Sequence, residues 1–432
     1  MRFRANGLVY GVGAFAAVLS PHAAHAQDVS ASPTVGTQFD RRRSVAVGER
    51  VQQGYEELGR RVGGFVIYPR IKAVSAFDNN VLAQSSDAQG DVAFSLEPSV
   101  RAVSEWTRHQ VGLSATAAAT RFAKLETENS ETFAVRADGR YDAGDELRLY
   151  AYTDYRRDVE RRSAPGALRV SQRPAAYNTA SAGAQLTWQG NRLRLQASGS
   201  AAKIDYADIV FRDGLVIDSR ELNRSRYQAA LRADYAVTPN LAVLVGGTIG
   251  KTDFDPPPGA ITPDRSDRRA ELLGGVSFEF TDLLRGEVAL GYIHQDFRTP
   301  GLKGFGGLGG RAELEYFPTR LTTVRLDASR TLQEAGNPIA PSFRRTRVGV
   351  RVDHELYRQV LVSAFADYET SRFQLPDRTE HRPHAGMSGQ YLLDRHVTLF
   401  ARYDYLRIRT RPVELGRRLG DSVVSVGVLF KP

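Results

Sequence analysis

The sequence contains no cysteine. That excludes disulfides, thiolate metal sites and a lipid attached through an N-terminal cysteine. Methionine and tryptophan are scarce, two of each in 432 residues. Mean hydropathy is −0.35, and beyond the N-terminus no apolar run approaches the roughly 20 residues of a membrane-spanning helix, which excludes a helical membrane protein. Recognisable catalytic spacing is also missing. No nucleophile elbow singles out a Ser, His and Asp triad. Gly246 to Thr252 falls one residue short of a phosphate-cradling loop and lies in a strand pattern. The Gly cluster Gly304 to Gly310 sits in a loop leading to a strand, and the near pair His381 and His384 lies on an external loop without a third ligand. The expectation is a protein that is not an enzyme and takes no cofactor or metal.

What is present favours β-structure: 39 Gly and 18 Tyr, residues of turns, bulges and pleated surfaces. The N-terminus has a targeting pattern of Arg2 and Arg4, an apolar run from Gly7 to Leu19, and the small-residue site Ala24-His25-Ala26. It predicts a cleaved signal over 1–26, with the mature chain starting near Gln27. Loss of Arg2 and Arg4 takes the formal charge from +9 to +7. The basic residues are spread over the whole length, so no nucleic-acid partner is expected.

Short turn signals recur about every forty residues, as at Asp142 to Asp145, Gln189 to Asn191, Thr238 to Asn240, Thr281 to Leu283 and Tyr357 to Gln359. Between them lie longer polar segments such as Glu160 to Ala176, Asp208 to Ser219, Asp255 to Arg265, Glu334 to Ser342 and Thr410 to Gly420. The strands alternate with period two. Leu193, Leu195, Ala197, Gly199 and Ala201 share one face, while Arg192, Arg194, Gln196, Ser198 and Ser200 share the other. The apolar face of strands entering the short turns ends in Tyr141, Trp188, Tyr235, Phe280, Tyr316 and Tyr391, a membrane-interface belt that Leu356 interrupts. Lipid leaves no water for backbone N–H and C=O groups, so so long a sheet must close on itself.

The reading is an all-β, transmembrane antiparallel barrel of about 18 strands in the bacterial outer membrane, with long extracellular loops and short periplasmic turns. The barrel is assigned to 65–432. Residues 27–64 form a periplasmic segment, disordered over Ser30 to Arg43 and with a short helix in Val45 to Arg61; it is too short for a plug domain. The expected lumen lining is Arg70, Lys72, Arg101, Arg136, Arg140, Arg148, Arg192, Arg194, Arg232, Arg325, Arg347, Arg351 and Arg402. Interspersed carboxylates include Glu97, Asp138, Glu287, Asp353 and Asp404. An excess of Arg sets a field that favours anionic solutes or acidic sugar chains. Inward Tyr68, Tyr150, Tyr152 and Phe400 offer planes for sugar rings.

The segments Gly54 to Leu82 and Phe94 to Ala115 carry a more specific signature. A Gly-aromatic opening, Gly64-Phe65, is followed by a Pro strand at Pro69, then Asp78-Asn79-Asn80, a second Pro strand at Pro98, and Ser104, Trp106, Arg108 and His109. The pattern resembles the Putative beta-barrel porin 2 family, and the likeness continues loosely over nearly the whole mature chain. The resemblance implies an outer-membrane barrel that takes part in export of capsular polysaccharide or exopolysaccharide; the barrel alone, without the family link, leaves general diffusion of small solutes as the alternative, and its basic external loops leave a structural or adhesive barrel as a third. It implies outer-membrane lipid, the barrel assembly machinery, polysaccharide, and periplasmic export or co-polymerase proteins as partners. Barrels of this kind commonly end in an aromatic; here Phe430 is followed by Lys431 and Pro432, so the expectation is that assembly either reads Val424 to Phe430 or is less efficient.

Overall fold

The computed structural model describes residues 45–167, 171–211, 214, 216–217, 219–255, 263–335 and 341–432. The signal over 1–26 and the segment Ser30 to Arg43 lie outside them. Nineteen strands share one sheet. Setting aside the three-residue strand Arg60–Val62, which pairs only with the first long strand, the remaining eighteen form a closed barrel. In chain order they are β1 Phe65–Asp78, β2 Asp91–Ser104, β3 Gln110–Phe122, β4 Ser130–Ala143, β5 Leu147–Val159, β6 Ala176–Gln189, β7 Leu193–Tyr206, β8 Arg224–Thr238 and β9 Leu241–Phe254. There follow β10 Asp267–Phe280, β11 Leu284–Phe297, β12 Phe305–Thr319, β13 Thr322–Glu334, β14 Ser342–Tyr357, β15 Val360–Gln374, β16 Asp377–Leu392, β17 Val397–Arg411 and β18 Arg418–Phe430. Each pairs antiparallel with the next, and β18 returns to β1, from Ile71 opposite Phe430 to Asp78 opposite Val423.

Strands of 13 to 16 residues are long enough to cross: fourteen residues tilted by about 40° span roughly 35 Å, against an apolar band of about 25 Å. Period-two alternation sets the faces. Outward residues between the ends are apolar and exposed, for example Leu231, Ile249, Leu272, Leu290 and Met387. Two aromatic girdles bound them. The lower one holds Trp106, Tyr141, Tyr235, Phe280, Tyr316 and Tyr391; the upper holds Phe94, Phe133, Tyr155, Tyr227, Tyr292 and Tyr368. Tyr227 and Tyr235 are eight residues apart on β8, or roughly 20 Å along the axis.

The prolines inside strands sit where the ladder is interrupted. On one side of β1, Arg60–Val62 pairs with Phe65–Ile67 and β18 begins opposite Ile71, so Pro69 falls in the gap between the two partners. Pro98 lies where β2–β3 pairing lapses between Leu96 and Ser99, and Pro383 where β16–β17 pairing lapses between His381 and His384. A residue with no N–H donates nothing to a ladder, so these positions lose no bond.

Two sequence expectations change. In Val45 to Arg61 the structure has one 3-10 turn, Val47–Glu49, and the short strand instead of a helix. Gly54 and Gly59 hold φ of +90° and +65°, which breaks any helical path. Gly306 to Gly310 belong to β12 and not to a loop. A Cβ on Gly309 would meet Ile293 Cγ2 at 2.3 Å, so glycine lets β12 run against the bulkier β11.

Candidate functional site: the barrel lumen

The inward face is a lattice of ion pairs. Lys72 Nζ lies 2.6 Å from Glu97, and Arg70 Nε donates to Glu57 at 2.8 Å. Arg140 and Arg148 flank Asp142 at 3.1 and 2.8 Å. Arg232 is gripped by Asp234 at 2.6 Å and Glu287 at 2.7 Å, and Arg325 by Glu315 at 2.5 Å. Arg347 reaches Asp327 at 3.0 Å and Asp367 at 3.4 Å, Arg351 meets Asp353 at 2.9 Å, and Arg402 meets Asp404 at 2.5 Å. Most of these neighbours stand two residues apart on one strand or opposite or diagonal to each other on adjacent strands, so alternation itself brings the charges together; Arg70 instead reaches Glu57 before β1, and Arg232 reaches across the lumen from β8 to Glu287 on β11. The predicted Arg excess is largely compensated where it sits. Arg101 projects exposed into the lumen. Arg194 is fully buried, with none of its three guanidinium nitrogens hydrogen bonded.

Filling of the lumen is uneven. On β9 to β11, inward Leu244, Leu273 and Ala289 form a small buried apolar cluster. A cavity of about 380 Å³ beside it is lined by Gln228, Arg269, Glu271, Arg311, Thr331 and Arg347, among others. On β4 and β5 the lumen is bordered by aromatic planes. Arg136 lies 4.3 Å over the Tyr152 ring and donates to Tyr150 Oη at 2.8 Å. A Cβ on Gly183 would meet Tyr152 at 2.7 Å, so glycine on β6 lets that ring lie against the wall. Tyr68 and Phe400 extend the inward aromatic surface round β1 and β17, with Lys72 5.9 Å from the Phe400 ring.

Both mouths are strapped. At the periplasmic end the chain from Ala46 to Glu57 crosses from β13 and β14 to β1. The Val47 N–H donates to Thr323 Oγ1 at 3.0 Å, Gln52 to Glu355 at 3.2 Å, and Glu57 receives Arg70. At the extracellular end the β5–β6 loop is pinned by Arg162 to Glu128 at 2.7 Å, both buried. Its carbonyls at Arg162, Ser163 and Ala164 accept from Arg417 of the β17–β18 loop at 2.6, 2.9 and 2.7 Å. Glu334, at the tip of β13, accepts from Arg224 and Arg226 of β8 at 2.6 Å each, Thr252 of β9 at 3.0 Å and Arg269 of β10 at 3.1 Å. Glu160, next in the chain after β5, is buried in this lid. Burial pushes its carboxyl up to about 8 against the opposing pull of Arg224 and Arg417.

Of the residues singled out from sequence, Arg70, Lys72, Arg101, Arg136, Arg140, Arg148, Arg194, Arg232, Arg325, Arg347, Arg351 and Arg402 occupy inward strand positions. Arg192 does not: the Gly190 N–H bonds to Leu193 O, closing a turn, and Arg192 sits exposed in it before β7 begins. His381 and His384 are on β16 and not on a loop. Three residues apart on a strand they face opposite sides: His381 Nδ1 meets the outward Tyr368 hydroxyl at 2.7 Å, while inward His384 lies between Asp367 at 3.1 Å and Asp404 at 3.4 Å. Asp78, Asn79 and Asn80 stitch the barrel seam. Asn79 exchanges bonds with Ser422 of β18, and Asn80 Nδ2 donates to Gly420 O at 3.2 Å. Trp106 packs edge-on against Phe65 at 6.1 Å, His109 stacks on Tyr141 at 4.5 Å, and Arg108 lies exposed in the same turn. Glu57, Glu160, Glu334 and Arg417 were missed, since nothing in a loop's composition says which distant strand it will reach.

The family model described as Putative beta-barrel porin 2 matches residues 53–431. The chain belongs to that family. It is an outer-membrane β-barrel of porin type. No curated protein matches the sequence. Among solved structures, this family member is similar to OpdL of Pseudomonas aeruginosa at 13% identity and a TM-score of 0.44, over 86% of this chain and 99% of that one. OccAB3 of Acinetobacter baumannii gives 10% and 0.44 over 85% and 99% of the two chains. The ferric enterobactin receptor PfeA of Pseudomonas aeruginosa gives 8% and 0.47 over 85% and 80%.

Proposed function

We propose that this barrel is the outer-membrane passage of a polysaccharide export system, carrying capsular polysaccharide or exopolysaccharide delivered by periplasmic export or co-polymerase proteins. The observation that carries the reading is the inward aromatic surface, Tyr150 and Tyr152 with Arg136 laid over the latter's ring. The C–H faces of sugar rings pack on such planes, and the surface holds a ring without fixing its sequence. Arg101, on the same side of the lumen and without a carboxylate ion pair among the described residues, favours uronic or otherwise acidic sugars, whereas Arg136 is already flanked by Asp138 at 3.8 Å and Asp154 at 3.7 Å. Conduction needs binding weak enough to release at each step, which shallow stacking supplies.

General diffusion of small solutes is the second reading, favoured by the ion-paired, hydrated wall. Deleting the gene separates the two. Loss of surface or secreted polysaccharide with unchanged small-solute uptake supports export. Unchanged polysaccharide with slower uptake of small anionic nutrients supports the diffusion porin and overturns export.

A further inference from the structure

Beyond the upper girdle, the lipid-facing wall of β13 to β18 changes character within one row of residues. Rows here are sets of residues directly opposite one another across strands. One row runs Leu326, Val350, Ala366, Ala385 and Tyr405, all apolar or aromatic. Four residues further out, a row runs Arg330, Thr346, Thr370, His381, Arg409 and Arg418. Beside it runs another: Leu332, Arg344, Arg372, Thr379 and Arg411. Arg344 and Arg372 face each other directly, as do Arg409 and Arg418, at the roughly 5 Å spacing of neighbouring strands. Like charges so placed repel.

No carboxylate stands in either row, and among the described residues none of these six arginines makes a carboxylate ion pair within 4 Å. Arg330 Nε bonds only a hydroxyl, Thr346 Oγ1 at 3.0 Å, and the buried Nε of Arg409 has no acceptor. The opposite side of the same rim is built differently. There Arg121 pairs with Glu131, Lys203 with Asp205, Lys251 with Asp253, and Arg298 with Asp253 and Asp264. On β3 to β11 most outward cations are paired in place, Arg157 and Arg268 being the ones without a carboxylate within 4 Å among the described residues, whereas all six arginines of the two rows on β13 to β18 are left for an external anion.

We infer that the outward face of β13 to β18 is a binding site for a phosphorylated glycolipid of the outer leaflet, with phosphates held by Arg330, Arg344, Arg372, Arg409, Arg411 and Arg418. Guanidinium forks match phosphate oxygens bidentately. The apolar row below provides the wall along which acyl chains lie, and Thr346, Thr370, Thr379 and His381 supply donors and acceptors for sugar hydroxyls. Height and orientation both fit: the rows lie just past Tyr368 and Tyr405, on the side of the long extracellular loops.

The test uses the full-length barrel, refolded in detergent and titrated with diphosphorylated hexa-acyl lipid A, its dephosphorylated form, or inorganic phosphate. Bound lipid is counted by native mass spectrometry and stability followed by thermal unfolding. Retention of the diphosphorylated lipid with a raised melting temperature, at least tenfold weaker retention of the dephosphorylated form, and no effect of free phosphate at equal concentration are expected. A triple variant, R344Q/R372Q/R411Q, is expected to lose that preference. The lysine triple R344K/R372K/R411K controls for folding by keeping it in part, and K203Q/K251Q on the paired side retains it. Equal retention of both lipids by the native barrel, equal loss in K203Q/K251Q, or matching stabilisation by free phosphate would each overturn the assignment.

Discussion

At the residue scale, single buried charges fasten the lid. Arg162 and Glu128 are both nearly inaccessible, 6% and 5% exposed. Removing one partner leaves the other charge uncompensated, at a cost of about 3–5 kcal/mol. Arg162→Ala is therefore expected to free the β5–β6 loop while the barrel stays folded, and protease cleavage between residues 160 and 175 should become fast relative to the native chain. Glu160 makes the same loop sensitive to pH. Its carboxyl is held at about 8 in the docked lid against an ordinary 4.5. Below 4.5 both docked and released loops keep the proton and docking is strongest; between 4.5 and about 8 only the released loop ionises, so docking weakens as pH rises; above 8 it weakens no further. Glu160→Gln should dock as tightly at high pH as at low pH. Proteolysis or amide exchange of the loop, followed across that window in both proteins, reads the difference; equal pH dependence in the two would remove Glu160 as the cause.

At the scale of elements, the wall follows from period and punctuation. Prolines at 69, 98 and 383 stand where pairing lapses, so position decides whether proline is tolerated. Val74 pairs with both Ser95 of β2 and Gly427 of β18. Val74→Pro should break the ladder between two paired neighbours and reduce the heat-resistant folded band in gel migration, whereas Pro69→Ala should leave it intact. Strand count, the alternation of outer loops with short inner turns, and twelve of the thirteen inward cations from Arg70 to Arg402 were legible, because alternation is a local signal carried by each strand alone; the outer connection from β15 to β16 is only two residues, Leu375 and Pro376. Arg192 was misassigned because a face pattern does not show where a turn ends and a strand starts. The His381 loop was misassigned because the charged run from Arg378 to His384 is polar on both faces, and above the membrane there is no lipid to impose alternation. The strap from Ala46 to Glu57 was illegible for another reason. Its anchors Thr323, Glu355 and Arg70 are spread over 286 residues of sequence, from 70 to 355, and its own composition reads only as a polar leader. Removing residues 45–57 should widen the periplasmic mouth and raise single-channel conductance above that of the full barrel; unchanged conductance would mean that the strap does not obstruct the path.

At the scale of the whole molecule, the outside and inside of one sheet answer to different solvents. Lipid fixes the girdles and the apolar belt, while water and paired charges fix the lumen, so a fold with hardly any buried apolar core is held by eighteen ladders and their closure. The solvent contrast is why the barrel could be read from sequence, whereas no motif announces the inward planes on which the proposed cargo rests. We propose that sugar chains pass along the Tyr150–Tyr152 wall. This passage is tested most directly by single-channel recording in planar bilayers, with an acidic oligosaccharide added from the periplasmic side. Transient current blocks are expected, with a duration that grows with chain length and falls sharply in Tyr150→Ala/Tyr152→Ala, and with the open-channel current unchanged. Blocks of equal duration in both proteins, or no blocks with current carried freely by small ions, would contradict it.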